Sequence, residues 1–379
     1  MNIPRYLSGV LPGKVDFTKA IILLGPRQVG KTTLIKELAA GIDPGYLYLN
    51  GDDPSVQLSL SLASLSFLQS YLGGATVVVI DEAQRIENIG LTAKMIIDEL
   101  PGKQLLITGS SALELASTIN EPLTGRKWEY RLFPVSWAEL SSFETMSRSL
   151  PRLPALLIYG MYPDVLMQAG NEKEIISNLA SSYLYKDLLN FQGIRKPELL
   201  SKILQALAWQ VGSEVNLNEI SRTVHADKNT VSHYIDLLEK AFIIFRLAPF
   251  NRNLRTEISS SRKVYFYDNG IRNAVIGNYT PLLSRNDTGA LWENFLVTER
   301  LKLLSYHGFY GFTYFWRTTN GAEIDYIEEI DGRLYAYEFK WNPAAKSKFS
   351  KSFTDAYRPA ETKTIHRDNF WEWLQVYPY

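Results

Sequence analysis

The sequence predicts an α/β protein whose N-terminal part is a parallel β-sheet covered by helices. Helical stretches separate four short apolar runs, which are Ile21–Leu24, Tyr46–Leu49, Val77–Ile80 and Leu105–Thr108. A glycine-rich loop follows the first run, and an Asp-Glu pair follows the third. Alternation of buried strands with helices is typical of a parallel sheet with both faces covered.

The glycine-rich loop has the spacing G-x-x-x-x-G-K-T, which is typical of loops that bind nucleotide phosphates. Its two glycines allow the backbone N–H groups to approach phosphate oxygens, Lys31 reaches the β- and γ-phosphates, and Thr32 offers a hydroxyl to Mg²⁺. A helix is predicted from about Thr32 to Ala40, with Gly41 as its C-cap, so its positive end faces the phosphates. The predicted site for ATP and Mg²⁺ comprises Gly25, Pro26, Arg27, Gln28, Val29, Gly30, Lys31, Thr32 and Thr33.

The third apolar run ends in Asp81 and Glu82. Next to a phosphate loop, Asp81 is expected to hold Mg²⁺, directly or through water, and Glu82 to orient and deprotonate the attacking water. The alternative is a pair of acidic residues that only stabilise a helix N-terminus.

Two positions after the fourth run are further candidates. Ser110 or Ser111 is expected either to hydrogen-bond the γ-phosphate or the attacking water, or to cap a helix. Arg126 follows a glycine and is either an arginine finger on the γ-phosphate of this or a neighbouring subunit, or a solvated side chain.

The composition excludes several classes of protein and site. Lys plus Arg and Asp plus Glu both number 40, so any nucleic-acid surface must be local. The absence of cysteine excludes disulfides and thiolate metal sites. The N-terminus lacks a signal pattern, and no apolar run approaches the ~20 residues that span a bilayer. The sequence therefore predicts a cytoplasmic protein without a membrane segment.

The region from Asn216 to Leu247 has helix-turn-helix spacing. Asn216 is expected to cap a first helix that ends at Val224, and a second helix is predicted from Lys228 to about Lys240. Strands are predicted at Phe242–Leu247 and Val264–Tyr267, on either side of a basic loop. This arrangement predicts a winged helix.

The winged-helix region carries a local excess of positive charge. It has four acidic residues and eight basic ones, which are Arg222, Lys228, Lys240, Arg246, Arg252, Arg255, Arg262 and Lys263. Lys228, Asn229 and His233 are expected to be exposed and to enter a major groove, while basic residues of the wing bind phosphates. The alternative is a winged helix that only packs domains together.

The C-terminal part contains a predicted β-hairpin. The dipeptide Asp331-Gly332 lies between strands at residues 323–327 and 333–341 and is typical of a two-residue hairpin turn. In that register Ile330 pairs with Arg333.

The same register brings four charged residues together. Asp325 lies opposite Glu338, and Glu323 lies opposite Lys340, all on one face of the hairpin. The other face is expected to be core and carries Ile324, Tyr326, Ile330, Tyr335, Tyr337, Phe339 and Trp341. Two carboxylates that oppose each other destabilise a hairpin unless a cation lies between them.

The acidic pair therefore predicts a metal site. Asp325 and Glu338 are expected to bind Mg²⁺, with Lys340 positioning or activating a water molecule. Glu293 lies on an otherwise apolar helical stripe, where a carboxylate needs a partner, and is predicted as a further ligand. The alternative is a solvated face with an ion pair between Glu323 and Lys340.

Several motifs together resemble one family. The strings GPRQVGKTTL, VVVIDEAQRI, LLITGSSALEL, LTGR and LFPVSWAEL, with later motifs at residues 159–163, 263–270 and 292–295, are similar to a family of AAA+-type ATPases of bacteria and archaea. The resemblance covers nearly the whole chain. It implies an ATPase domain followed by a C-terminal domain that resembles PD-(D/E)xK nucleases, in agreement with Glu293, Asp325, Glu338 and Lys340.

The expected division has four parts. They are an AAA+-type ATPase domain at 1–146, a helical lid at 147–212, a winged helix-turn-helix at 213–268 and a nuclease-like α/β domain at 269–379. The expected function is ATP hydrolysis coupled to Mg²⁺-dependent cleavage of DNA or RNA, in a protein that is compatible with a homo-oligomer. The alternative is a nucleotide-dependent switch or scaffold whose C-terminal domain binds a partner without catalysis.

Overall fold

The computed structural model forms two compact units. It describes residues 3–61, 63–110, 121–189, 196–251, 262–318, 320–345 and 347–375, with the backbone alone for residues 183–189. The first unit comprises Met1–Val135 with Lys240–Phe242, and the second comprises Ser136–Glu239 with Ile243–Tyr379. Three residues named above, Ser111, Arg252 and Arg255, lie outside the described residues.

The first unit alternates strands and helices. Its strands are β1 (Ala20–Leu24), β2 (Leu47–Asn50), β3 (Val77–Asp81), β4 (Gln104–Gly109) and β5 (Lys127–Arg131). Its helices are α1 (Tyr6–Val10), α2 (Lys31–Ile42), α3 (Pro54–Ser61), α4 (Leu65–Leu72) and α5 (Ile89–Glu99).

The strands of the first unit form a parallel sheet in the order β2-β3-β4-β1-β5. The parallel sheet and its four predicted strands are confirmed. Strands β1, β3 and β4 are buried along their whole length, which is why they appear in the sequence as unbroken apolar runs. Strand β5 was not predicted, because it lies at the sheet edge and its half-exposed residues, Lys-Trp-Glu-Tyr-Arg, form no apolar run.

The predicted C-cap of α2 is wrong. The helix continues through Gly41 to Ile42, and the N–H of Asp43 bonds to the carbonyl of Ala39. A glycine inside a helix costs only about 1 kcal/mol, so one glycine near the end does not stop a helix whose buried face is already packed.

The second unit begins with helices and ends in a large sheet. Its helices are α6 (Trp137–Phe143), α7 (Met146–Ser149), α8 (Leu153–Tyr159), α9 (Pro163–Met167), α10 (Glu172–Leu189), α11 (Pro197–Trp209), α12 (Leu217–Val224), α13 (Lys228–Lys240), α14 (Asn269–Val275), α15 (Thr288–Tyr306), α16 (Lys351–Tyr357) and α17 (Phe370–Trp373). Its strands are β6 (Glu214–Val215), β7 (Ile244–Pro249), β8 (Arg262–Phe266), β9 (Phe312–Arg317), β10 (Glu323–Ile330), β11 (Arg333–Lys340) and β12 (Glu361–His366). They pair in the order β12-β11-β10-β9-β7-β8-β6.

A break in the backbone at Gly160 separates α8 from α9. Gly160 has a left-handed backbone, with φ of 79°, and the carboxylate of Asp268 accepts the N–H of Met161 at 2.7 Å. A side chain at Gly160 would overlap that carboxylate, and one at Gly270 would overlap the carbonyl of Tyr159. The two glycine-containing motifs are therefore parts of one buried contact.

The elements of the predicted helix-turn-helix lie where the sequence placed them. The side chain of Asn216 caps α12, His225 makes the left-handed turn, and α13 spans Lys228–Lys240. Strands β7 and β8 pair antiparallel, while residues 252–261 between them are outside the described part of the chain. The wing and its basic loop therefore stay a prediction.

The predicted hairpin turn and register are confirmed. Ile330 pairs with Arg333, and the ladder runs back to Tyr326 opposite Tyr337. Asp331 and Gly332 both have positive φ, 49° and 76°, as a type I′ turn requires.

Both faces of the hairpin are covered, so the alternative of a solvated face opposite the core face is wrong. Ile327 and Ala336, on the face of Asp325 and Glu338, pack in a core with Phe250, Trp316, Leu334 and Phe353. Ile324 joins that core instead of the opposite face, since the pairing of β10 with β9 shifts between Ile324 and Ile327. On the opposite face the rings of Tyr326, Tyr337 and Phe339 contact Trp373.

A buried ion pair ties β10 to α15. The guanidinium of Arg300 binds both carboxylate oxygens of Glu328, at 2.6 and 2.9 Å, and both side chains are excluded from solvent.

Among the described residues no helix is long and apolar enough to cross a membrane.

Candidate functional site

The glycine-rich loop holds its lysine inside the first unit. Lys31 is only 5% exposed, and its ammonium donates to the carbonyls of Gly25 at 2.9 Å and Pro26 at 2.7 Å. The cation therefore lies within the curve of the loop, the position from which a lysine of this motif reaches phosphates.

The backbone of the loop depends on glycine and on one distant arginine. Gly25 and Gly30 have φ of 154° and 95°, and a side chain at Gly25 would overlap the carbonyl of Leu132. The guanidinium of Arg5 donates to the carbonyl of Val29 at 2.5 Å and to that of Phe133 at 2.6 Å. Arg5 thus ties the loop to the segment after β5, a role that no local pattern in the sequence indicates.

Substituting Gly25 by alanine should displace the loop and weaken nucleotide binding. The added methyl group meets backbone rather than a movable side chain, so we expect a loss of at least tenfold in ATP affinity, equivalent to about 1.4 kcal/mol. Titration calorimetry with ATP measures this. Gly13→Ala is the control, since among the described residues, apart from its chain neighbours, no heavy atom lies within 4 Å of the methyl group that it adds. Equal affinities of the two variants would show that the close approach of Gly25 to Leu132 is unimportant.

Asp81, at the end of β3, is the centre of a hydrogen-bond cluster. Its buried carboxylate accepts hydrogen bonds from the hydroxyls of Thr32 at 2.9 Å, Tyr48 at 2.6 Å and Thr108. Burial and the adjacent Asp81 charge raise the pKa of Tyr48, which therefore remains a hydrogen-bond donor. Sequence patterns identified Asp81 and Thr32, but not Tyr48 and Thr108, which lie on β2 and β4.

The site is compatible with the Mg²⁺ of a bound nucleotide. A hydroxyl from the first turn of α2 and a carboxylate from β3 lie in direct contact, and oxygen donors of this type suit Mg²⁺. Thr32 and Asp81 are thus the residues that would hold the ion.

Glu82 points its carboxylate at Ser110 and Gln84. Ser110 donates its hydroxyl to Glu82 Oε2 at 3.1 Å, and Gln84 Nε2 donates to the same oxygen at 2.5 Å and to Ser110 Oγ at 2.9 Å. Glu82 has φ of 49°, its N–H bonds to Thr108, and its side chain makes no helix-capping hydrogen bond. The structure thus brings Glu82 and Ser110, two candidate residues from different strands, into contact and adds Gln84.

Arg126 lies at the opposite edge of the sheet. It precedes β5, whose first residue pairs with Ala20 at the start of β1, whereas the loop follows Leu24 at the end of β1. Its guanidinium binds Asp98 at 2.5 Å. Arg126 therefore does not face the loop of its own subunit, and a contact with a neighbouring subunit stays a prediction.

The carboxylates of the second unit surround a buried lysine. Lys263 is 2% exposed, and its ammonium lies 2.9 Å from Glu293 Oε1 and 2.6 Å from Glu323 Oε1. Burial opposes its charge, but Glu293, Glu323 and Asp325 raise the pKa of Lys263 above its usual value. Tyr265 also donates to Glu293, at 2.7 Å. The proposed metal ligand Glu293 thus already has two protein partners.

The remaining predicted residues of this cluster do lie together. Lys340 Nζ is 3.0 Å from Glu338 Oε2 and 3.8 Å from Asp325 Oδ2, and the same Asp325 oxygen accepts the N–H of Phe339 at 2.7 Å. Burial, followed by the charges of Glu293 and Glu338, raises the pKa of Asp325 to about 7. Glu323, which the alternative of a solvated face paired with Lys340, binds Lys263 instead.

The fit of a metal to this cluster is poor. In the described part of the chain, no group of three or more His, Cys, Asp or Glu side chains is arranged to hold a metal ion. One oxygen of each predicted ligand is already engaged: Lys263 and Tyr265 bind Glu293, a backbone N–H binds Asp325, and Lys340 binds Glu338.

The basic surface of the helix-turn-helix is smaller than its sequence suggests. Lys228, Asn229 and His233 are exposed on α13, as predicted. Arg246, however, binds Asp236 at 2.8 Å and also Glu239, and Lys263 is buried. Two of the eight basic residues therefore do not contribute free positive charge to a surface.

Three family models match successive parts of the chain. An AAA domain matches residues 17–141, and two domains of unknown function match residues 150–281 (DUF8612) and 288–370 (DUF4143). The AAA domain match contains the loop, Asp81, Glu82 and Ser110.

Relatives of this chain occur in distant prokaryotes. The uncharacterized protein Rv2008c of Mycobacterium tuberculosis is 28% identical over 84% of this chain and 70% of its own length. An uncharacterized protein of Haemophilus influenzae is 27% identical over 72% of this chain and 73% of its own length.

Solved structures with some similarity include the RuvB Holliday junction branch migration motor of Thermotoga maritima, at 16% identity and a TM-score of 0.35, covering 64% of this chain and 90% of that one. A variant of the same RuvB protein gives 17% identity and a TM-score of 0.33, over 63% and 85% of the two chains. By its AAA domain match and its parallel sheet, the N-terminal part of this chain is similar to AAA-type P-loop ATPases.

Proposed function

We propose that this protein binds ATP with Mg²⁺ and hydrolyses it at the carboxyl-terminal edge of the first sheet. The observation that carries the proposal is the convergence of the loop lysine, the Thr32–Asp81 contact and the Glu82–Ser110 contact at the ends of β1, β3 and β4. These elements supply phosphate binding, a Mg²⁺ site and a base, which hydrolysis of a nucleoside triphosphate requires.

Each group has a separate role in the proposed reaction. The loop N–H groups and Lys31 bind the phosphates, while Thr32 and Asp81 hold the Mg²⁺ that arrives with the nucleotide. Glu82 accepts a proton from water as the water oxygen bonds to the γ-phosphorus, and Ser110 orients the Glu82 carboxylate. The bond from the γ-phosphorus to the bridging oxygen breaks, and ADP leaves with the electron pair.

Phosphate release by the purified protein tests the proposal directly. We expect Mg²⁺-dependent release that EDTA abolishes, since EDTA removes the ion that Thr32 and Asp81 would hold. ATP binding measured by calorimetry in the same preparation separates a binding protein from an enzyme. The absence of both activities would overturn the proposal.

We further infer that nucleotide state controls the second unit as a switch or scaffold. Its proposed parts are the helical lid at 147–212, the winged helix at 213–268 and the nuclease-like domain at 269–379. Support for the switch comes from the carboxylate cluster, which is neutralised internally by Lys263 and Lys340. An arginine finger from Arg126 in a neighbouring subunit belongs to the same proposal, because only another subunit can bring Arg126 to the loop.

Cleavage of nucleic acid is the second candidate function. The proximity of Asp325, Glu338 and Lys340 favours it, although the oxygen donors do not fit a metal well. Incubation of plasmid DNA and of single-stranded RNA with the protein, with and without Mg²⁺ and ATP, tests it. Cleavage that Lys340→Ala abolishes would support the nuclease, and intact substrates in all conditions would support the switch.

Nucleic-acid binding through α13 is tested by its dependence on salt. Lys228 is exposed at the start of the helix, so a contact with a phosphate should add about one unit to the slope of log affinity against log salt. We expect Lys228→Ala to lower that slope by about one unit in fluorescence anisotropy with duplex DNA. The control is Lys351→Ala, an exposed lysine at the start of α16. Equal slopes for both variants, or no binding at low salt, would leave the helix-turn-helix as a packing element.

A further inference from the structure

The side-chain amide of Gln84 makes hydrogen bonds through its nitrogen but not through its oxygen, among the described residues. Its Nε2 donates to Glu82 Oε2 at 2.5 Å and to Ser110 Oγ at 2.9 Å. Its Oε1 is buried and has no hydrogen-bond partner among the described residues. The orientation of the amide is fixed by chemistry, because a carboxylate oxygen accepts hydrogen bonds and so must face the NH₂ group.

A buried carbonyl oxygen without a donor is unfavourable by about 1–3 kcal/mol. Such an oxygen is satisfied when a molecule with an O–H or N–H group enters the site. The neighbours of this oxygen are the carboxylate proposed as the base and the serine that orients it. A water molecule about to lose a proton to Glu82 has a second O–H group and matches this need.

The backbone keeps the amide in place. Gln84 lies in the 3₁₀ turn Ala83–Arg85, directly after the left-handed Glu82, and Ala83 is fully buried. The carbonyl of Glu82 accepts the N–H of Arg85 at 3.0 Å, which closes the turn. The side chain therefore starts from a rigid backbone next to the reacting groups.

We propose that Gln84 is a positioning residue for the attacking water. Its Oε1 accepts one O–H of the water, and its Nε2 holds the Glu82 carboxylate that accepts the other proton. No atom of Gln84 is consumed, and its contribution is the orientation of both partners before the proton moves. This inference rests on the proposed ATP hydrolysis at the same site.

Two variants of Gln84 test the role. Gln84→Leu removes both hydrogen-bonding atoms and should lower kcat for ATP hydrolysis by about tenfold to a hundredfold, because misplacement of a reacting group by about 1 Å costs this much. The affinity for ATP and KM should stay within twofold of wild type, because the hydrogen bonds of the Gln84 side chain go to Glu82 and Ser110 and not to the loop or Asp81. Gln57→Leu is the matched control, since the Gln57 amide binds the carbonyl of Gly51 and not Glu82.

Gln84→Glu keeps the size of the side chain and gives a readout that a packing role would not produce. A carboxylate at this position cannot donate to Glu82 and repels it, so kcat should fall as in Gln84→Leu although the side chain still fills the same space. A Gln84→Glu enzyme as fast as wild type, or a Gln84→Leu enzyme as fast as wild type or faster, would overturn the inference, and a faster enzyme would show that Gln84 restrains Glu82. If wild type hydrolyses ATP and Lys31→Ala does not, such a contradicting outcome rejects only the role of Gln84 and leaves the proposed ATP hydrolysis intact. If wild type is inactive, the proposed function fails as well.

Discussion

Glu82→Gln is expected to bind ATP as wild type does and to lose at least about 100-fold in the rate of hydrolysis. Proton transfer to a positioned base contributes about 10²–10⁴-fold to such a reaction, and an amide cannot accept the proton. The substitution keeps the size of the side chain, and the glutamine carbonyl still accepts the hydrogen bond from Ser110 that Glu82 accepts at 3.1 Å. Binding should be retained because in the proposed site the phosphates contact the loop and Lys31 and not Glu82.

Lys31→Ala is expected to give the opposite result and to remove ATP binding itself. Lys31 is the buried cation of the loop, and its partners, the carbonyls of Gly25 and Pro26, would then face the phosphates without a counter-charge. Calorimetry with ATP and a phosphate-release assay on both variants separate the two roles. Equal loss of ATP binding in Glu82→Gln and Lys31→Ala would contradict the assignment of Glu82 as the base.

The Glu82→Gln variant also provides a test of oligomer formation. If Glu82→Gln holds ATP without hydrolysis, gel filtration with and without ATP shows whether nucleotide binding drives assembly. If Arg126→Ala still forms the ATP-dependent oligomer but no longer hydrolyses ATP, Arg126 acts at the site of a neighbouring subunit.

The parts of the first site that sequence predicted are those with a local pattern. Lys31 and Thr32 follow two glycines at fixed spacing, and Asp81 and Glu82 end an apolar run. In each case a short window of sequence contains all the residues that identify the motif. Tyr48, Thr108 and Arg5 join the site through strand order and tertiary contacts, which such a window does not contain.

In the second unit, too, the local hairpin pattern could be predicted from the sequence, but the tertiary partners of its carboxylates could not. The register of the hairpin followed from Asp331-Gly332 alone, because a two-residue turn fixes every later pair. The turn did not indicate that β8 supplies Lys263 as the partner of Glu293 and Glu323. Lys263 was assigned to a basic wing, although a lysine at the start of the apolar run Val264–Tyr267 is itself a sign of a buried, paired charge.

Lys263→Met is expected to destabilise the protein by up to about 3 kcal/mol, because removal of the buried ammonium leaves the partly buried carboxylates of Glu293 and Glu323 without their counter-charge. Methionine retains most of the length of the lysine stem, so the packing changes little. Lys340→Met is the matched control. The Lys340 side chain is 33% exposed, so its loss should cost about 1 kcal/mol or less. Urea denaturation of the three proteins measures the difference in the free energy of unfolding.

The same variant should become sensitive to divalent cations. Without the ammonium, Glu293 and Glu323 lose the cation that lies within 2.9 Å of both, and Mn²⁺ or Mg²⁺ can take over its charge. Any ion that binds the folded state alone raises the melting temperature by mass action. We therefore expect Mn²⁺ to raise the melting temperature of Lys263→Met and to leave that of wild type unchanged. The double variant Lys263→Met/Glu323→Gln should recover part of the stability, because one unpaired charge is gone.

The melting curves also decide between the two functions considered for the second unit. A wild-type protein stabilised by Mg²⁺ or Mn²⁺, with the gain lost in Asp325→Asn, would mean that the carboxylates bind metal despite Lys263, and the nuclease would become the better candidate. If only Lys263→Met responds, the ammonium of Lys263 is the cation of this cluster. A fold that carries its own cation has no need of a metal to hold Glu293, Glu323 and Asp325 together, which favours a unit that binds a partner under the control of ATP.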